Sequence, residues 1–147
     1  MHALLNFLHV MAAIVWLGGL TFMLFALRPA ATSLAPPQRL PLIAQVMQRF
    51  FLLVWLCVGV LLATGLVMLL GVGMKNAPKG WHLMLGIGLL MFAIFGHLYF
   101  GPFRRLKHAV DAADWPAASL RVAQITMITA LNLALGAVAI AAVILWA

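Results

Sequence analysis

Of the five histidines in this 147-residue chain, His9 lies well inside a run apolar enough to sit in lipid, where an ionisable side chain is costly and so informative. In LHVMAAIVWLGG, Leu8 to Gly19, the histidine is followed by Trp16 and the pair Gly18 and Gly19. His2, His9, Trp16 and Met23 recur every seven residues, which places them on nearly one helical face and turns His9 toward other helices. His82 opens a later apolar run and His97 follows fifteen residues on, about 22 Å away along a helix. Those two cannot share one ion. His2, His9 and His82 instead collect at one level with Met11, Met68, Met74 and Met84. Imidazole with thioether suits copper, Met preferring Cu(I). Two neutral imidazoles on facing helices also suit a b-type haem, with Lys75 or Lys79 available to its propionates. Spacing leaves both chemistries open, beside the plain alternative that Met fills gaps and His9 only bonds across helices.

The remaining polar residues in apolar surroundings are few. Asn132, with Thr129 one turn earlier, makes a polar face in the last run, suited to interhelical hydrogen bonding or to supporting a ligand. Arg49 suits a lipid phosphate or an ion pair with Asp111 or Asp114, and His97 lies at the level of Arg49, Arg104 and Arg105. Both acids of the chain lie in one connection, so paired intramembrane carboxylates are excluded, and no nucleophile triad or phosphate loop is present. Hydrolase and kinase readings fail on those grounds. If the protein is an enzyme, a haem-dependent membrane oxidoreductase is the class that remains; a non-enzymatic role is the simpler expectation.

These side chains must be positioned by membrane helices. Hydrophobic residues make up 67% of the chain and charged ones 7%, more apolar surface than a water-soluble domain of this size can hide. Four runs, about 3–27, 50–72, 81–103 and 125–146, match the roughly 20 residues that cross a hydrocarbon core. They predict an all-α polytopic membrane protein, one domain over 1–147, built as a four-helix up-and-down bundle. The first run has no Lys or Arg before it, so it reads as an uncleaved span rather than a signal peptide. Seven of the nine basic residues fall in the first and third connections, which places both termini and the middle loop outside. The net charge of +7 is then a collar facing anionic headgroups and requires no nucleic acid. Pro29, Pro36, Pro37 and Pro41 predict a non-helical first connection. Asp114, before Trp115 and Pro116, predicts a helix start. Trp81, Tyr99, Phe100 and Trp146 fit an interfacial belt. Gly18, Gly19, Gly59, Ala63, Gly86, Ala93 and Gly136 are candidates for close helix contact.

At LHVMAAIVWLGGLTFMLFALRPA the sequence resembles the CopD family of bacterial inner-membrane copper proteins, through His9, Trp16, Gly18, Gly19, Arg28 and Pro29. The resemblance extends loosely over all four spans. It implies copper uptake or tolerance, alongside a periplasmic copper-binding protein. The start of the third run, WHLMLGIGLLMFAIFGH, is similar to the related membrane-bound protoporphyrinogen oxidases, which hold haem b with a first-span histidine and a lysine. No lysine stands between His82 and Gly86, leaving His82 as the substitute ligand and a porphyrin or quinone as the partner. Many CopD-like proteins are longer, so a compact four-helix unit is expected to work as a homodimer. A third reading is a non-catalytic assembly subunit.

Overall fold

A computed structural model describes residues 1–146. Its helices are α1 (His2–Phe22), which runs through a wide turn (Met23–Leu27) into α2 (Arg28–Ala31), then α3 (Pro36–Val72), α4 (Lys79–Phe100), α5 (Pro102–Asp111) and α6 (Trp115–Leu145). Four helical segments are long and apolar enough to cross a membrane: His2–Ala31, Pro36–Val72, Lys79–Asp111 and Trp115–Leu145. The protein is therefore a multi-pass, all-helical membrane protein. Short connections make neighbours antiparallel: α1 packs chiefly on α3, α4 on α6, and the two pairs close through contacts of α3 and α6 with each other and with α4 and α1.

The helices are longer than the apolar runs alone predict, and the prolines are the reason. Pro36 and Pro37 occupy the first turn of α3, where no backbone N–H needs a partner, and Pro41, inside the helix, removes one bond of the ladder without ending it. Only 32–35 leave the helix, with the Thr32 and Ser33 hydroxyls donating to the carbonyls of Pro29 and Ala30. Pro29 is also helical, and its cost falls one turn upstream. There the Arg28 N–H reaches back five residues to the Met23 carbonyl, a wide turn of the kind that absorbs a distortion.

The other two connections follow their glycines and their cap. Gly73, at φ 86, ends α3 in a conformation that favours glycine. Gly101 breaks the third segment into α4 and α5, because a Cβ there would lie 2.9 Å from the His97 carbonyl oxygen. The helix α5, absent from the sequence expectation, is amphipathic: Phe103 and Leu106 are fully buried, while Arg104, Arg105 and His108 are exposed. Asp114 caps α6 as expected, accepting from the Ala117 N–H at 3.3 Å. The helix thus starts ten residues earlier than its apolar run.

Rings hold the basic-residue end of the bundle together. Phe51 meets Phe103 edge-on at 4.9 Å and Phe95 at 5.5 Å; Trp55 meets Phe95 at 5.0 Å and Tyr99 at 5.5 Å. Such pairs contribute about 0.5–1.5 kcal/mol each beyond area burial. Tyr99 belongs to this cluster rather than to an interfacial belt, whereas Phe100 and Trp146 are exposed. Of the expected close-contact glycines, Gly19 and Gly136 are packed, whereas Gly18, Gly59 and Gly86 have open space where a Cβ would go. Gly19 faces the Phe50 ring, Gly136 faces Leu17, and Gly80 lies against the backbone of α6.

A Cβ at Gly80 would meet the Ala142 carbonyl oxygen at 2.6 Å and the Val143 Cα at 3.2 Å, backbone atoms that cannot rotate aside. Gly80→Ala is therefore expected to destabilise the bundle by about 1–3 kcal/mol. Gly18→Ala, in open space, should leave it unchanged or slightly stabilised. Thermal unfolding in detergent checks the pair.

Candidate functional site

All four spanning segments border one cavity of about 240 Å³. Helix α1 supplies Asn6, His9, Ala13 and Trp16; α3 supplies Leu61, Gly65 and Met68; α4 supplies Trp81, Met84, Gly88 and Phe92; and α6 supplies Gly136, Ala139 and Val143. The wall is almost wholly apolar because each helix turns its leucine, alanine or glycine face inward. Trp16, 2% exposed, stacks on Phe92 with centroids 5.8 Å apart and planes 19° apart. This stacked pair bounds the cavity on the side of the aromatic cluster.

His9, with Asn6 about one turn before it, makes the polar part of the wall. Its Nδ1 lies 2.8 Å from Thr64 Oγ1 on α3, and a Cβ at Gly65 would lie 3.3 Å from its Cε1, so glycine lets the imidazole settle against that helix. The Thr64 hydroxyl has one proton, and at 2.6 Å the Val60 carbonyl, which can only accept, takes it. Thr64 Oγ1 must then accept from His9, and we assign His9 the tautomer with Nδ1 protonated. That leaves the Nε2 lone pair uncommitted by this network. Orienting one ring nitrogen through a bond to the other is how histidine is prepared as a metal ligand.

Of the side chains singled out from sequence, His9, Met84 and Met68 line this cavity together. Met11 is 41% exposed and outside the lining. His82 is exposed and also outside it, although its neighbour Trp81 is within, so the expected meeting of His9 and His82 in this cavity is not what the structure contains. Matched depth fixes height along the bundle but not direction around the helix. His2 lies beside Gly71, exposed, and His97 is exposed near Gly101. Lys75 and Lys79 are exposed, at and beyond the α3–α4 turn. Among the described residues no group of three or more His, Cys, Asp or Glu side chains is placed to hold a metal, so a site here depends on methionine.

The supporting residues divide in the same way. Asn132 is 3% exposed and its Nδ2 donates to the Met91 carbonyl at 3.3 Å, tying α6 to α4 directly beside the cavity. Its Oδ1 is buried without a partner. Thr129 is spent on its own helix, donating to the Thr126 carbonyl. Arg49 is exposed; Lys107 instead bridges α5 to α3, donating to Gln48 Oε1 at 3.2 Å with its ammonium 5.2 Å from the Phe103 ring centroid. Arg28 donates to Thr126 Oγ1. Sequence reasoning passed over Thr64, whose signal was a lone hydroxyl in an apolar run followed at once by glycine.

A multi-pass helical membrane protein with one histidine on the wall of an apolar intramembrane cavity is the class that fold and site define. The family of copper resistance protein D matches residues 44–146, more than two thirds of the chain, and the protein belongs to that family. The match begins beyond α1, so it rests on the last three spans and is independent of the His9 segment that first suggested it. No curated protein and no solved structure matches the sequence significantly.

The hydrogen-bond assignment has a direct check. In protein labelled with nitrogen-15 histidine, His9 should give a protonated Nδ1 and an unprotonated Nε2 by NMR. Thr64→Val, similar in shape without the hydroxyl, removes a bond worth about 0.5–1.5 kcal/mol and should erode that preference into a mixture.

Proposed function

We propose that this CopD-family protein handles copper at a membrane-embedded site, with His9 Nε2, Met68 Sδ and Met84 Sδ as the donors. The single observation that carries the reading is that these three side chains, from three different helices, line one cavity. One imidazole and two thioethers form a soft set without carboxylate, the kind that selects Cu(I) over harder divalent ions. Thr64 holds the imidazole in register, and the apolar wall favours a low-charge cuprous ion. Copper is cargo here, taken up or buffered from the outer face. The basic collar supports a topology in an inner membrane with both termini periplasmic, and on that orientation the cavity opens toward the side where a periplasmic copper-binding protein would deliver the ion.

The haem reading is less well supported. A bis-imidazole haem needs His82 beside His9 in one cavity, and His82 is exposed outside it.

Cu(I) titration of purified protein against a chromophoric chelator tests the proposal. His9→Ala, and the double variant Met68→Leu/Met84→Leu, are each expected to weaken binding tenfold or more. Thr64→Val should weaken it by about 10–100-fold, as loss of a ligand's orienting partner does. Met11→Leu and His82→Ala should bind as wild type. Unchanged affinity in His9→Ala would overturn the reading, as would a Soret band at one haem per chain in protein expressed with ample haem.

A further inference from the structure

A second cavity, of about 470 Å³, lies where α4, α5 and α6 meet at the basic-residue end, lined by Phe100, Gly101, Arg104, Arg105, His108 and Arg121, with Ala109 and Ala117. Three guanidiniums and an imidazole share this wall, and no acid belongs to it. The two carboxylates of the chain do not relieve the crowding: Asp111 and Asp114 are exposed outside the lining, and Asp114 is engaged in capping α6. Arg121 spends one Nη1–H on Gln124 Oε1 at 3.0 Å, which fixes the guanidinium while leaving its other donors. Three guanidiniums on one wall without an acid suit an anion with several acceptor oxygens, and guanidinium geometry matches phosphate.

The other border of the cavity is apolar and outward-facing. Phe100 is 62% exposed, and from exposed Leu120, next to Arg121, an outward stripe of α6 continues about two and three turns on through Met127, 76% exposed, and Leu131. This is the stretch that runs into the membrane span. A ligand seated on the arginines therefore has hydrocarbon surface beside it.

We propose that this cavity is a binding site for the phosphate of an anionic phospholipid, with Arg104, Arg105 and Arg121 on the headgroup and its acyl chain along Phe100 and Met127. The site is separate from the His9 cavity, and it stands whether or not copper is the cargo there. Seated at a helix break, the lipid also supports the fold, because it neutralises the charge that would otherwise push α5 away from α6.

Binding to the purified full-length protein in detergent, read by native mass spectrometry and thermal shift, tests this with phosphatidylglycerol, phosphatidylcholine and inorganic phosphate as the probes. Phosphatidylglycerol should be retained and raise the melting temperature, and phosphatidylcholine should do neither. Arg105→Gln/Arg121→Gln should weaken phosphatidylglycerol binding by about 30-fold. Arg39→Gln/Arg49→Gln, which removes the same charge outside the cavity, should bind within about threefold of wild type. Equal binding of both lipids would overturn the proposal, and so would equal losses in the two double variants. Stabilisation by millimolar inorganic phosphate matching that by phosphatidylglycerol would overturn the lipid source in favour of a soluble phosphate.

Discussion

In a bilayer the hydrophobic effect does not press helices together, because lipid tails are as apolar as leucine; what holds a bundle is close packing and a few internal polar contacts. Here the packing is carried by interlocked rings from α1, α3, α4 and α5, running from Trp16 and Phe92 through Phe95, Phe51 and Tyr99 to Phe103. The rings fill the end of the bundle that carries the arginines and stop at the Trp16–Phe92 stack. Beyond that stack the inward faces are mostly leucine, alanine, glycine and methionine, with His9 and Trp81 among them, and they leave the space unfilled. The candidate site is the volume that aromatic packing leaves open, and Trp16 and Phe92 belong to both regions.

Polar ties are few, and each joins a different pair of elements. His9 to Thr64 links α1 with α3, Asn132 to Met91 links α6 with α4, Lys107 to Gln48 links α5 with α3, and Arg28 to Thr126 links α2 with α6. In water such bonds would exchange with solvent at little cost. In hydrocarbon an unmet donor costs several kcal/mol in the simplest account, so the His9–Thr64 and Asn132–Met91 pairs within the spans help select one packing of four otherwise similar apolar helices. The two pairs at the basic end tie the helices near the headgroups. The same bond that ties α1 to α3 also sets the tautomer of the only histidine on the cavity wall. Fold and site share that constraint.

Apolar length made the four spans legible, and the seven-residue recurrence of His9, Trp16 and Met23 made the inward face of α1 legible: Trp16 and Met23 are buried and His9 lines the cavity. The His82 placement was not legible, since depth bookkeeping gives height and the direction around a helix depends on how that helix packs. Gly18, Gly59 and Gly86 misled for the same reason, whereas Gly19 and Gly136 were read correctly and Gly80, at a helix start and against the backbone of α6, was missed. The proline run misled differently. A proline in the first turn of a helix forfeits nothing, so Pro36 and Pro37 read as breakers only until the start of α3 is known, while Pro41, one turn further in, costs a single ladder bond. Thr64 escaped notice because a hydroxyl in an apolar helix ordinarily serves its own backbone, and only the neighbouring helix reveals its second bond.

The wide turn at Met23–Leu27 matters beyond sparing Pro29. An α-helix advances about 100° per residue, so carrying one extra residue in a turn rotates everything after it by about that angle. Arg28 follows immediately, and it lies where it donates to Thr126 on the far helix. The bulge acts as a phase adjuster: it lets α1 present His9 and Trp16 in one direction and its terminal arginine in another, within one continuous rod. A strictly regular helix could satisfy only one of those two directions.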